Sequence, residues 1–396
     1  MCREVADCLT ELLAPPGECP DGVLISLAGR SVRFRPDSPA GVVVARTILG
    51  PYCEITEPAP APAADWTVTS AEVAELVDGT DRLVKRCADA GIPPSPVRRW
   101  PGDIDADRYD LGPELTFVVH RRPFTGLTVL ARADRTLHYL RSGPGFNASH
   151  TEHVLKYPLR MTLRQSGFAQ VHAAGAVFRG RGLLLMGEKA SGKSTLLAQL
   201  LLRGAAQVSN DLSFVRPAAG GKLDMIAFPH ITRVAPGTVE DNPVLRVGLA
   251  REERTGDYLR SPVFSGGKEE FYFPVLERLW GRNPICRRAA LDAIVIPTFD
   301  LRCTAASSEP LPTAERDAMV HRCVVDDPPL PDWLPFLPGA QLRALATRAA
   351  DALLRREPPA YRVRFVPASK DPVRAVEQVV DHLAAVAASP APRLGP

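Results

Sequence analysis

Gly187-Glu188-Lys189-Ala190-Ser191-Gly192-Lys193-Ser194-Thr195 fits G-x-x-x-x-G-K-[ST], the pattern of a loop that cradles the phosphates of a nucleoside triphosphate. Gly187 and Gly192 let the backbone wrap close to a phosphate with no side chain in the way. Consecutive N–H groups then point into one concavity and attract an anion. Lys193 can bridge the β- and γ-phosphates as a point charge, and Ser194 can offer a hydroxyl to Mg²⁺. The flanks agree. Leu183-Leu184-Leu185-Met186 is a short apolar run that predicts a buried strand. Residues 195–203 predict an apolar helix, with Gly204 suited to the position after its end. Strand, glycine loop and helix in that order turn the helix N-terminus toward the phosphates.

Working outward, residues 171–178 predict one strand, Arg179-Gly180-Arg181 a tight turn, and residues 182–186 the returning arm. The strand before the loop is thereby placed in a β-hairpin, whereas ordinary nucleotide folds carry it in a parallel sheet with helical crossovers. Residues 207–215 predict a strand with polar residues in its middle, Ser209-Asn210-Asp211. Further strands are expected at 225–228, at 293–296 (closed by Pro297) and at 361–365, and helices at 152–165, 340–354 and 372–385. Arg160 and Arg164 on the first of these helices are equally consistent with reach toward phosphates and with a solvated face. Asp292 and Asp300 flank the 293–296 strand as candidates for a second acidic metal partner. His230, in Phe228-Pro229-His230, is a loop candidate for the acceptor pocket, and Lys268 sits in a glycine-flanked turn.

The 396 residues are 45% hydrophobic and 23% charged, an ordinary globular balance, and allow two or three domains. A net charge of +3 is too small to argue for nucleic acid or a membrane surface. No apolar run of bilayer-spanning length and no secretory pattern at Met1-Cys2-Arg3-Glu4 is present, so a cytoplasmic location is expected. Eight scattered cysteines without C-x-x-C predict thiols rather than a disulfide framework or zinc site. The first part, with a helix at 2–14, strands at 23–27, 31–34, 115–120, 128–131 and 136–140 and a short helix at 40–49, predicts an α+β domain over 1–145. Asp103, Asp105, Asp107 and Asp110 lack the glycine and terminal glutamate of a calcium loop and are expected in a solvated acidic loop. Residues 57–63 predict a stiff Pro/Ala spacer and 389–396 a disordered tail.

Val171-His172-Ala173, the loop from Gly187 to Ser194, Arg203-Gly204 and Ser209-Asn210-Asp211 together resemble the HPr kinase/phosphorylase family and its wider group of HPr-kinase-like domains. The resemblance covers about residues 150–215 well, runs weakly through the C-terminal strand and helix, and leaves the first 140 residues outside it. It implies an α/β fold with a mixed sheet, a phosphoenolpyruvate-carboxykinase-like nucleotide domain over 146–388. It also implies ATP and Mg²⁺ as cofactors. Loop residues Gly187, Glu188, Lys189, Ala190, Ser191, Gly192, Lys193, Ser194 and Thr195 would hold the phosphates, Ser194 and Asp211 the metal, with His172 beside them.

Two departures matter. The family's general base is an aspartate at the position of Asn210, and a neutral amide does not accept a proton as a carboxylate does. Three accounts stay open: His172 or another acid acts as base, positioning alone suffices because the transition state is loose, or the site binds nucleotide without transferring phosphate. The second departure is Lys189-Ala190, where the family has Ser-Gly. The expectation is a kinase acting on a hydroxyl of a peptide, protein or small metabolite, in a biosynthetic or tailoring pathway, with no nucleic-acid or membrane partner and room for a homo-oligomer. The alternatives are a catalytically reduced regulatory or scaffold module and, third, a nucleotidyltransferase or hydrolase using the same cradle.

Overall fold

The computed structural model describes residues 3–13, 22–57, 64–97, 105–122, 126–142, 148–230, 232–234, 238–239, 242–250, 269–271, 277, 280, 284–300, 304–326, 334–365 and 372–388. Asp103, Lys268, most of the Pro/Ala spacer and the 389–396 tail lie outside the described residues.

The first part builds one nine-stranded mixed sheet, in the order β3-β1-β2-β4-β9-β8-β7-β6-β5. Its strands are β1 (Val23–Leu27), β2 (Arg30–Pro36), β3 (Glu54–Thr56), β4 (Trp66–Glu72), β5 (Ser95–Pro96), β6 (Asp105–Asp110), β7 (Leu115–Arg122), β8 (Gly126–Ala131) and β9 (Thr136–Arg141). β4 runs parallel to β2 and to β9, and the other pairs are antiparallel. The period of two sends neighbours to opposite faces. Phe117 and Val129 join a core with Val5 and Leu9 of α1 (Arg3–Leu13) and Leu83 of α3 (Leu76–Asp89), while Val118 and Leu130 join the core under α2 (Pro39–Leu49). Of the acidic loop expected around Asp103, Asp105, Asp107 and Asp110, residues 105–110 are instead strand β6. Asp107 accepts from Arg121 of β7 at 3.0 Å, and Asp110 from Arg108 of its own strand at 3.1 Å and from Thr116 of β7 at 2.9 Å, so neighbouring arginines on and across the strand offset its charges. β4 and α3 were not foreseen, although the aromatic and β-branched run Trp66-Thr67-Val68-Thr69 carries the strand signal.

The second part holds two sheets. The six-stranded one runs β13-β11-β12-β19-β21-β20 and the four-stranded one β10-β14-β15-β18. Their strands are β10 (Ala169–Val171), β11 (Ala173–Phe178), β12 (Arg181–Met186), β13 (Ala206–Ser209), β14 (Ser213–Pro217), β15 (Leu223–Ile226), β18 (Arg288–Ala290), β19 (Ala293–Phe299), β20 (Ser307–Pro310) and β21 (Ala360–Phe365). Short β16 (Thr232–Val234) and β17 (Glu269–Phe271) pair with each other. The hairpin is present: β12 is antiparallel to β11 and parallel to β19. Helices α5 (Lys193–Leu202) and α9 (Pro372–Ala388) cover one face through Leu196, Leu200 and Val376 against Leu185, Val295 and Val363. The other face, with Leu184 and Ile294, belongs to the core shared with α4 (Ala148–Gln165) and α8 (Gly339–Leu354). Between them in sequence lie α6 (Pro243–Ala250), α7 (Thr313–His321) and the π-helical turn Arg322–Asp326 that α7 runs into.

Four expectations need correction. Residues 171–178 are two strands in different sheets, broken at His172. Residues 207–215 are likewise broken at 210–212. Strand β19 runs through Pro297, because its pairing with β12 ends at Val295 and no ladder donor is needed there on that side. Arg160 and Arg164 are 1% and 8% exposed, so neither stands on a solvated face.

Candidate functional site

The register of three neighbouring strands gathers the candidate residues at one sheet end. Ala173 pairs with Met186, which places His172 beside the strand end that enters the glycine loop. Gly175 pairs with Ser209, so Asn210 and Asp211 leave β13 toward the same end. Both strand breaks coincide there because β10 and β14 peel away together, antiparallel, into the second sheet.

Glycine is required at both ends of the loop. Gly187 has φ +150°, and a Cβ on it would lie 2.6 Å from the Ser191 hydroxyl. Gly192 has φ +100°, and its Cβ would lie 2.9 Å from the rings of Phe299 and Phe365. Ala190 adopts φ +67°, a left-handed conformation that an L side chain enters at a cost. Lys193 is buried and donates from Nζ to the carbonyls of Gly187 at 2.8 Å and Glu188 at 3.0 Å, which brings the ammonium inside the loop. Glu188, Lys189 and Ala190 are exposed, Ser191, Ser194 and Thr195 half-buried. The Thr195 and Thr238 hydroxyls bond at 2.8 Å, tying α5 to the helical residues 238–239. The Glu188 carboxylate forms an ion pair with Arg322 of the π-helical turn. The same turn accepts the His172 N–H on the Cys323 carbonyl at 3.0 Å.

Asp211 faces this assembly from β13. His172 donates from Nε2 to its Oδ1 at 3.2 Å, and His230 Nε2 approaches its Oδ2 at 3.5 Å. Burial pushes the carboxyl upward. The hydrogen bonds and positive charge of His172 and His230 outweigh that effect and hold it well below the ordinary carboxylate value. Asp211 is therefore ionised at neutral pH, and its side chain, 43% exposed, stays within reach of solvent. Asn210 is only 3% exposed, and its Oδ1 has no hydrogen-bond partner among the described residues.

Of the remaining acidic candidates, Asp292 sits at the opposite end of β12, where it accepts from the Gly182 N–H at 2.7 Å, and so is not part of the loop end. Asp300 follows Phe299, whose ring packs at Gly192, and lies at the loop end of β19. His230 sits closer to the centre than its loop setting in sequence suggested, and its only forward signal was the Phe228-Pro229-His230 loop itself. Arg322 was missed outright, since no local pattern links it to Glu188, 134 residues away.

Among the described residues no group of three or more His, Cys, Asp or Glu is arranged to hold a metal ion. A cation here would thus combine protein oxygens with phosphate oxygens. The hydroxyl of Ser194 and the ionised, solvent-reached carboxylate of Asp211 fit Mg²⁺, which keeps several waters and needs few protein ligands. No helix among the described residues is long and apolar enough to cross a membrane.

No family model and no curated protein matches the chain. A solved structure titled the Hpr(Ser) kinase/phosphatase from Coxiella burnetii is similar over 55% of this chain and 98% of that one, with 12% identity and a TM-score of 0.26. So faint a likeness carries no functional weight, and what the site does is read from its own geometry. The architecture itself is a mixed α/β fold with several mixed sheets.

Proposed function

We propose that the chain is an ATP- and Mg²⁺-dependent phosphotransferase of the HPr-kinase-like kind, with a phosphoenolpyruvate-carboxykinase-like nucleotide domain over 146–388 behind an N-terminal domain over 1–145. It passes the γ-phosphoryl group to a hydroxyl of a peptide, protein or small metabolite. One observation carries this reading: the loop with its inward lysine, the ionised Asp211 and His172 emerge at one end of three adjacent strands. Loop amides and Lys193 hold the phosphates, and Ser194 with Asp211 supply protein oxygens to the metal. Bound Mg²⁺ would neutralise charge on the phosphate oxygens. Asp211 orients His172 by accepting from its Nε2, and His172 serves as proton acceptor where residue 210 is an amide rather than a carboxylate. Transfer through a loose transition state depends mainly on holding donor and acceptor in line, so weak base assistance is compatible with turnover.

Lys193→Ala is expected to lower turnover at least ~100-fold and to weaken nucleotide binding in calorimetry. Transfer to the acceptor surviving that change would remove the loop from the reaction.

The burial of Asn210 favours a second reading, a nucleotide-binding regulatory module. It predicts magnesium-dependent uptake of nucleotide with no γ-phosphate consumed in the presence of any lysate fraction, whereas the kinase reading predicts consumption with at least one.

A further inference from the structure

A cavity of about 160 Å³ opens between α4, β10, the π-helical turn and α8. Space of that order admits a guest the size of a benzene ring or a branched four-carbon side chain. Its apolar wall includes Phe168, Val324 and Leu342. Its polar wall is the guanidinium of Arg164 and the amide of Gln170, with Arg343 at the exposed rim. None of the described residues that line it is acidic.

Gln170 is the informative residue. It is 6% exposed, and its side-chain Oε1 is sealed from water without any hydrogen-bond partner among the described residues. Buried amide groups are almost always satisfied, so an unpaired amide oxygen on a residue that lines a cavity is open to a donor entering that cavity. The terminal amide torsion is soft, and the group can turn to meet one. A cation, an acceptor lacking its donor and an apolar wall of side-chain size define a ligand with three parts: a carboxylate, an adjacent N–H and a compact hydrocarbon body.

We propose that this cavity binds one apolar amino-acid residue bearing a free carboxylate, either a free amino acid or the C-terminal residue of a peptide. The carboxylate faces Arg164 and Arg343, the N–H is given to Gln170, and the side chain packs on Phe168, Val324 and Leu342. This seat is lined by none of the phosphate-loop residues, so it stands or falls apart from the kinase reading.

Titration calorimetry on the full chain without nucleotide tests it, with L-leucine as the probe. Saturable binding at one site per chain is expected. 4-Methylpentanoate, which lacks only the amine, should bind about tenfold more weakly. Gln170→Leu should reduce leucine affinity to that level and leave 4-methylpentanoate unchanged, because the two changes remove the same hydrogen bond. Ala346→Phe fills the cavity from α8 and should abolish binding of both. Lys193→Ala should change nothing. N-acetylglycyl-L-leucine distinguishes the source: tighter binding than leucine supports a peptide terminus, weaker binding a free amino acid. The proposal is overturned if neither leucine nor the dipeptide binds saturably at millimolar concentration to folded protein. Undiminished affinity in Ala346→Phe, or loss in Lys193→Ala, overturns it equally.

Discussion

Ala190 is the residue at which the loop departs most tellingly from a glycine-rich cradle. Its φ of +67° is a conformation that glycine enters freely and alanine does not. The left-handed strain of about 1–2 kcal/mol exceeds the ~0.4–1 kcal/mol that glycine loses through the unfolded chain. Ala190→Gly should therefore stabilise the protein, by roughly 0.5–1 kcal/mol, seen as a higher denaturation midpoint; a lower midpoint would mean that the alanine methyl is packed rather than strained. Asn210 poses the opposite problem. Restoring a carboxylate there places a charge where only 3% of the residue meets solvent, next to the ionised Asp211. Asn210→Asp should cost about 1–3 kcal/mol in thermal melts at neutral pH and recover as the pH is lowered toward the carboxylate range. An unchanged melt at neutral pH would show that the pocket supplies partners for a carboxylate. Any gain in phosphoryl transfer must then be measured against that lost stability.

At the scale of elements, the site is made by two strand breaks and one irregular turn. β10 and β14 leave the six-stranded sheet at the same level, and this double departure exposes His172, Asn210 and Asp211 at the end of the remaining strands. The π-helical turn closes the assembly from behind, with Arg322 on Glu188 and Cys323 on the His172 backbone. Irregular turns of this type occur often where function asks for a displaced backbone. β12 is held at its far end by a close approach: a Cβ on Gly182 would lie 1.8 Å from the Ala290 carbonyl. Gly182→Ala must push β12 away from the end of β18, and should cost about 1–3 kcal/mol. The loop, a strand's length away, should keep its geometry, so nucleotide affinity per folded molecule should hold in calorimetry. Loss of affinity in the folded fraction would mean that the strand transmits the shift.

Across the whole molecule, α4 joins the parts: Val154, Tyr157 and Leu163 lie in one apolar cluster with Val32 and Phe34 of the nine-stranded sheet and with Ala169 and Phe214 of the four-stranded one. The nine-stranded sheet also carries a buried titratable group on β7. His120 bonds Thr128 at 3.0 Å, and burial lowers its pKa from 6.5 to about 3. Below pH 6.5 the unfolded chain takes up a proton that the folded one refuses, so stability is complete above that value and falls as the pH drops toward 3. Acid titration of the denaturation midpoint should show this slope, up to about 1.4 kcal/mol per pH unit, and His120→Leu should flatten it. A slope that persists in the variant would assign the acid sensitivity to other groups. The glycine loop and its flanking strand and helix were legible in the chain because they are local: Gly187, Gly192 and Lys193 answer to backbone sterics and charge over nine consecutive residues. The hairpin was legible for the same reason, as a turn between two apolar runs. His172 and Asp211 were set side by side only through the family resemblance; the hydrogen bond between them at 3.2 Å came from the fold. What the linear order withheld was sheet membership. A run of strand-forming residues looks the same whether it stays in one sheet or crosses to another, since both satisfy the same backbone hydrogen bonds and the same alternation. Only the packing of distant segments decided that residues 171–178 and 207–215 break. The same packing brought His230 and Arg322 to the site and left the amide of Gln170 unanswered, because contacts between residues far apart in sequence are chosen by the shape of the folded core and leave no local trace.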